Sequence, residues 1–453
     1  MAPPRSQPAR LALRASLAVF LLAFSAVARA DDEAPPFDPW RGIDRDGRIP
    51  AVAKPVVHPE RWRYIPEGRI KPGNVLERFG VSSFIAPFFF RDTDVGFGGG
   101  LAITDIDFRQ QRRREFAGVF LSHTTEGQQA YTAVWRRWLH HVDAEGGGIL
   151  QEERSFVRAA AGYRRTLTRR FFGFGDDTDE NDETSYTDET AFAEVGLDLA
   201  LPGPGDDLVL GMGVRGEWHN LSRGRVDDAG QTRARFPEVF RDGDRDGLGW
   251  LDLELRYDTR DSQRLPYRGY AVGVRIDAAP AQSEGNAGAI FGLFGQKLFP
   301  VPGLLHHGGS GDEEHPPTDS IALNLETDAT AGDLPFYALP SLGGGRRGRG
   351  FIEGRFRDRS LWAATAEYRF WVIPRGFPLT PWTPTLRVER VGLALFYDVG
   401  SVADDWWDLF RATPKHSGGV GVRATLERSA PFRVDVGFSE EGPEVNAGFG
   451  LSF

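Results

Sequence analysis

The last ten residues, EVNAGFGLSF, place Val445, Ala447, Phe449, Leu451 and Phe453 on one face of an extended chain and Asn446, Gly448, Gly450 and Ser452 on the other. A strand turns successive side chains to opposite sides, so unbroken alternation marks a sheet with one apolar and one polar face. WLDLELRYD (250–258) repeats the pattern, with Leu251, Leu253, Leu255 and Tyr257 set against Asp252, Glu254, Arg256 and Asp258. GYAVGVRID, SIALNLETD, WAATAEYRF and VGLALFYDVG follow it too. A soluble sheet with one wet face would also alternate. Here, however, the polar faces carry opposite charges close together, as a packed, wet lumen would, and the apolar faces end in Tyr, Trp or Phe, as interfacial girdles do. A closed barrel leaves no unpaired edge, and that is the only way a sheet can cross a bilayer. The expected fold is therefore all-β, a transmembrane antiparallel β-barrel of the outer-membrane type.

Sixteen strands are expected, near residues 82–90, 95–107, 115–124, 128–139, 152–163, 190–201, 207–219, 249–258, 269–278, 287–299, 319–329, 359–372, 389–399, 416–427, 431–438 and 444–453. Each approaches the roughly 9 to 11 residues that a tilted spanning strand needs. An even count puts both ends of the barrel on the periplasmic side. The long polar connections 174–189, 220–248 and 330–358 then fall outside the cell, where barrels keep their variable loops. Connections 300–318 and 373–388 are long for periplasmic turns, and the sequence offers no reason for it.

The N-terminus fits this location. Arg5, Arg10 and Arg14 precede the apolar run ASLAVFLLAFSAVA (15–28), and ARA (28–30) ends it before DDEAPP, the layout of a cleaved export signal over residues 1–30. The segment holds four arginines and no acid, so its removal takes the formal charge from −10 to −14. So acidic a chain is a poor nucleic-acid binder. With no cysteine there is no disulfide framework, thiol nucleophile, cysteine-held zinc or lipoprotein anchor. Residues 31–80 are Pro-rich and charged and read as an extended leader, a strap through or beneath the barrel. The barrel itself is expected over 81–453.

Three motifs sit at telling places in this layout. YDTRDSQRLPYRGY (257–270) occupies a periplasmic turn, GRGF (348–351) the long external loop between strands eleven and twelve, and FYDVG (396–400) strand thirteen. Together they resemble the outer-membrane barrel-assembly and translocase superfamily, the BamA/TamA-type or bacterial surface antigen barrels, which includes two-partner secretion transporters. The resemblance implies a sixteen-stranded barrel whose arginine loop folds back into the lumen. Arg349, Gly350 and Phe351 match the tip of that loop, Asp398 and Gly400 match the strand-thirteen motif, and Glu367 matches the acidic position of strand twelve more loosely. Alternation independently turns Glu367 and Asp398 inward. Asp258, Arg260, Asp261, Pro266 and Gly269 make up the periplasmic turn motif, and Phe449, Leu451 and Phe453 resemble a C-terminal insertion signal. Two departures stand out: Gly348 replaces the usual branched residue, and the roughly 50 residues of the leader are too few for even one periplasmic POTRA domain.

The resemblance implies assembly or translocation of protein or lipid at the outer membrane, without catalytic residues, cofactor or metal. It implies as partners outer-membrane lipid and lipopolysaccharide, the barrel-assembly machinery that inserts the chain, and a separate periplasmic protein in place of the missing domains. A passive solute pore is the alternative. A lipid hydrolase is a further one, weakened because no Ser/His/Asp arrangement is recognisable. Other motifs lead nowhere. DGDRDG (242–247) starts like a calcium loop but has Leu253 where a bidentate Glu is needed. The His140–His141 and His306–His307 pairs lack metal-ligand spacing, and GFGGG (96–100) lacks the strand-loop-helix setting of a dinucleotide site.

Overall fold

The computed structural model describes residues 19–20, 44, 47–65, 84–92, 95–105, 114–240, 244–378, 387–426 and 430–451. Sixteen long strands form one sheet: Phe84–Asp92 (β1), Gly96–Asp105 (β2), Glu115–Thr124 (β3), Gln129–Trp138 (β4), Phe156–Phe171 (β5), Thr184–Leu201 (β6), Leu208–Arg223 (β7), Arg245–Asp258 (β8), Gly269–Gln282 (β9), Gly288–Val301 (β10), Asp319–Gly332 (β11), Ser360–Ile373 (β12), Arg387–Ala403 (β13), Lys415–Leu426 (β14), Ala430–Ser439 (β15) and Gly442–Phe449 (β16). Each pairs antiparallel with the next through a defined register. The sheet order returns from β16 to β1. Phe88 and Phe89 of β1 also pair with the two-residue strand Val19–Phe20.

Burial follows the alternation, but inverted relative to a soluble protein. Leu251, Leu253, Leu255 and Tyr257 of β8, Val272 and Val274 of β9, and Leu323 and Leu325 of β11 are all exposed, whereas Asp258, Glu326, Asp328, Glu367 and Asp398 are buried. A large contiguous apolar exterior around a charged interior belongs in lipid. The described residues contain no helix long and apolar enough to span a membrane.

Strands β5 to β8 and β13 run well beyond the expected length, mostly at their extracellular ends. The acidic stretch 175–189, expected to be loop, joins β6 from Thr184 onward, and the 220–248 connection shrinks to 224–244. Beyond the bilayer a hairpin needs no lipid-facing stripe, so its backbone ladder continues after the apolar alternation has stopped. The inner face also changes there. Phe171, Tyr186 and Leu221 pack around Phe336, and Leu248 and Trp250 pack around Leu334 and Leu339, so the 333–359 loop closes the outer end over a dry core.

At the periplasmic end the long 302–318 connection finds its reason. Leader residues 47–65 run along it: the Ala51 N–H donates to the Asp312 carbonyl, Pro50 bridges Glu313, and the Lys54 ammonium lies 2.6 Å from Glu314. The leader then adds Trp62–Ile65 as an edge to a small sheet with Ile149–Glu152 and His141–Asp143 of the β4–β5 connection. Trp62, Ala144 and Leu150 form its core. Arg61 pairs with Asp207 of the β6–β7 turn at 2.8 Å. Of the other long connection, Phe377–Pro378 pairs with the start of β13, and residues 379–386 lie outside the described residues.

Candidate functional site: a buried arginine latch

Beyond its aromatic base, the external loop turns inward. Ser341–Leu342 pairs with Phe356–Arg357, so residues 343–355 form a closed excursion. Phe351 and Phe356 meet edge to face at 5.4 Å and share an apolar cluster with Leu342, Leu361, Ala363 and Val402. This cluster fixes the tip from one side, leaving Arg349 to point into the wall. Arg349 is wholly buried.

Its guanidinium grips Asp398 with two parallel bonds, Nε to Oδ2 and Nη2 to Oδ1, both 2.9 Å, while the Arg349 backbone N–H donates to Oδ2 at 3.0 Å. Nη1 donates to Glu367 Oε2 at 2.6 Å and lies 3.7 Å from Asp435 Oδ2. The Phe396 ring lies beneath the guanidinium, 3.5 Å from its central carbon. A planar, delocalised fork suits this arrangement; an ammonium could supply neither the parallel bonds nor the stacking. The carboxylates are shared with the wall's own arginines. Arg369 and Arg423 reach Glu367 at 2.7 and 3.1 Å, and Arg423 and Arg433 reach Asp435 at 2.6 and 2.7 Å. Three carboxylates and four guanidiniums thus form one dry network across β12 to β15, in which each charge is held by its neighbours.

The main chain of the tip binds further round the barrel. Asn446 of β16 donates to the Arg349 carbonyl at 3.0 Å, and Ser439 to the Gly350 carbonyl at 2.7 Å. Such contact demands glycine on both sides. A Cβ on Gly350 would stand 2.7 Å from the Phe438 carbonyl carbon, and one on Gly437 would stand 2.4 Å from the Arg349 oxygen. Gly400 is likewise pressed against the Trp362 carbonyl, where a Cβ would come within 2.6 Å.

Arg349, Gly350, Phe351, Glu367, Asp398 and Gly400 therefore converge on one place. Sequence reasoning missed Asp435, Arg423, Arg433 and Asn446, although alternation turns them inward as well. Arg347, two residues before Arg349, reaches Glu326 at 2.5 Å and Asp328 at 2.9 Å on β11. The loop is thus held at several neighbouring strands, by Arg347 on β11 and by Arg349 on β12, β13 and β16. Arg346 is exposed.

The periplasmic turn motif forms a separate knot. Asp258, fully buried, accepts from Arg260 Nε at 3.0 Å and Nη2 at 2.7 Å and from Gln263 at 3.1 Å. Asp261 accepts the backbone N–H groups of Tyr267 and Arg268, which closes the turn, and burial pushes its carboxyl up to about 6. Gly269 takes φ +101°, and a Cβ there would come within 2.5 Å of the Thr259 carbonyl oxygen. Pro266 is buried. Arg154, also buried, donates to the Arg260 carbonyl at 2.9 Å and approaches Asp207 at 3.2 Å, tying this turn to the Arg61 end of the leader. Of the C-terminal residues, Phe449 ends β16 opposite Phe432, Leu451 is half-buried, and Phe453 lies outside the described residues. The latch lies partway along β12, β13 and β15, and the turn motif beyond the end of β8.

Among solved structures, the chain is similar to BamA from Haemophilus ducreyi lacking POTRA domains 1–3, at 14% identity over 82% of this chain and 69% of that one, with a TM-score of 0.47. It is also similar to CdiB from Acinetobacter baumannii, at 11% identity over 79% of this chain and 57% of that one, with a TM-score of 0.42. No curated protein matches. The Omp85 superfamily domain matches residues 154–453, which contain the latch, the turn motif and twelve of the sixteen strands. The chain is a bacterial outer-membrane β-barrel and belongs to the Omp85 superfamily.

Proposed function

We propose that this barrel takes part in assembly or translocation of protein or lipid at the outer membrane, with the Arg349 loop as an internal brace rather than a catalytic element. The observation that carries this reading is the hydrogen bond from Asn446 to the Arg349 carbonyl. It joins the brace to the last strand, so the packing of the loop and the state of the β16 edge are mechanically linked. A strand edge offers unpaired backbone groups to an incoming chain, and the latch would set how readily β16 offers its own. No cofactor, metal or nucleic acid enters this mechanism. Its partners are the barrel-assembly machinery for insertion, guided by the Phe449, Leu451 and Phe453 end, together with outer-membrane lipid and lipopolysaccharide. A separate periplasmic protein would dock on the leader.

A second reading, a passive pore, draws support from a cavity of about 420 Å3 in the barrel wall and lumen, lined by Arg136, Arg158, Asp198, Asp252 and Asp277 among others. One experiment separates the two readings. In a deletion strain complemented with wild type or Arg349→Ala, outer-membrane proteomics and lipid analysis should show a defined set of proteins or lipids lost on deletion and not restored by the variant. An unchanged envelope with lost uptake of one solute would instead establish the pore.

A further inference from the structure

The loop between β13 and β14 is tied at its far end to the β5–β6 connection, the Thr413 N–H donating to Asp176 at 2.5 Å, while Trp406 nearer its start packs on the outer face of the wall. The outward-facing row at the upper end of the wall consists of Thr327 on β11, Trp362 on β12 and Ser401 on β13, which are register partners in turn. The loop covers this row: Trp406 Nε1 donates to Thr327 Oγ1 at 3.0 Å, and Ser401 Oγ donates to the Thr413 carbonyl at 3.1 Å. Below the row the same faces are apolar and exposed, with Leu325 on β11 and Leu395 and Tyr397 on β13. Thr327 and Ser401 thus mark the level at which the exterior changes from oily to polar, and Trp406 is docked at that level.

Beside it stand two aromatic rings that the protein leaves uncovered. Trp407 is 71% and Phe410 75% exposed, the two most exposed large hydrophobic side chains among the described residues. They are fixed rather than loose. Asp405 caps the Trp407 N–H at 2.8 Å, a short 3-10 turn spans Asp408–Phe410 with Leu409 buried beneath it, and Trp406 meets both rings edge-on, at 4.8 Å and 5.6 Å. Asp404 and Arg411 leave the same turn almost fully in solvent, and Asp408 is more than half exposed. The turn is therefore amphipathic over a few residues, with an aromatic pair on one side and charges on the other.

We infer that this loop is an anchor in the outer leaflet, its Trp407 and Phe410 rings inserted at the boundary between headgroups and acyl chains. The choice of lipid as occupant rests on continuity. The rings extend an exterior that already faces hydrocarbon, at the height where it turns polar, and Trp, with an apolar body and one N–H, favours that zone. Such an anchor would fix the height and tilt of the β11–β13 wall, the part of the barrel that carries Glu367 and Asp398. The inference needs only the membrane residence of the barrel and stands apart from the proposed transport role.

The absence of cysteine from the chain makes the test direct. Phe410→Cys, and as a control Asp227→Cys in the exposed β7–β8 loop, would each be labelled with an environment-sensitive fluorophore. The folded barrels would be placed in phosphatidylcholine vesicles, with heat-modifiable gel mobility confirming the fold. At position 410, lipids spin-labelled high on the acyl chain should quench emission at least threefold more than at 227, and aqueous iodide should quench correspondingly less. Iodide access at 410 equal to that at 227 would overturn the inference. So would shielding from both quenchers, which would place the rings against protein.

Discussion

Arg349 is the residue on which the inner organisation turns, because it contributes the one movable charge in a network whose other members sit on the wall. With it removed, Glu367, Asp398 and Asp435 face only Arg369, Arg423 and Arg433, and Asp398 loses its bidentate partner. Breaking a buried pair from one side typically costs about 3–5 kcal/mol, far more than the pair is worth against a well-packed apolar substitute. Arg349→Ala should therefore lower the temperature at which the folded gel band converts to the unfolded one and open residues 343–351 to protease. Arg349→Lys should fall between, since it keeps the charge but not the fork. Gly437→Ala offers an independent approach, as it leaves every charge in place and intrudes on the main chain of the tip at the Arg349 carbonyl and the Gly350 nitrogen. If Gly437→Ala leaves the loop as protected as in wild type, the tip does not depend on this close contact. The motif residues of this site could be read from the chain because two short motifs, GRGF and FYDVG, carry them. Asp435 and Asn446 could not, since alternation says that a side chain points inward but not which distant strand lies opposite it.

Among the elements, the β8–β9 turn is where sequence and chemistry agree most closely, and its behaviour with pH can be worked out. Asp261 accepts two backbone N–H bonds through Oδ1, which favour its charge, yet Oδ2 is buried without a partner and desolvation prevails. Its folded value of about 6 lies above the unfolded value of about 3.9. A raised value means that the folded state holds the proton more tightly. The contribution is thus fully present below about pH 4 and is lost as pH rises through about 6. Asp261→Asn keeps an acceptor for the two N–H groups and removes the charge. It should flatten this part of the pH dependence and raise stability at pH 7.5 by about 1–2 kcal/mol. Thermal unfolding at pH 5 and pH 7.5 would check this, and identical pH slopes in variant and wild type would show that Asp261 is not the group responsible. Strand cores were legible for the same reason that this turn was: lipid on one side and water on the other leave a two-residue period. The extracellular extensions of β5 to β8 were not, because above the bilayer their outer face meets water and their inner face packs on the 333–359 loop, so the lipid-facing stripe is gone.

At the scale of the whole molecule, both ends of the barrel are stitched across. The outer end is held by the 333–359 loop through its apolar clusters and its two arginine latches. The inner end is held by leader residues 47–65, which join the β4–β5, β6–β7 and β10–β11 connections through Trp62, Arg61 and Lys54. The Pro-rich composition of the leader pointed to an extended strap, but its anchors Asp207, Glu313 and Glu314 sit in turns that meet only once the sheet has curved, so their convergence could not be read from spacing. A strap held by separate ion pairs and one small apolar cluster has fewer mutually supporting contacts than a loop held by a network of three carboxylates and four guanidiniums. The inner closure should therefore open first. In planar bilayers the wild-type protein should conduct little, removal of residues 44–65 should give larger and longer openings, and Arg349→Ala alone should give brief, infrequent ones. Adding Arg349→Ala to the deletion should then produce a steady conductance, because both closures are in series along one lumen. If the deletion conducts no more than wild type while retaining its folded gel mobility, the leader does not close the inner mouth, and the charged lumen is sealed by the Arg349 loop alone.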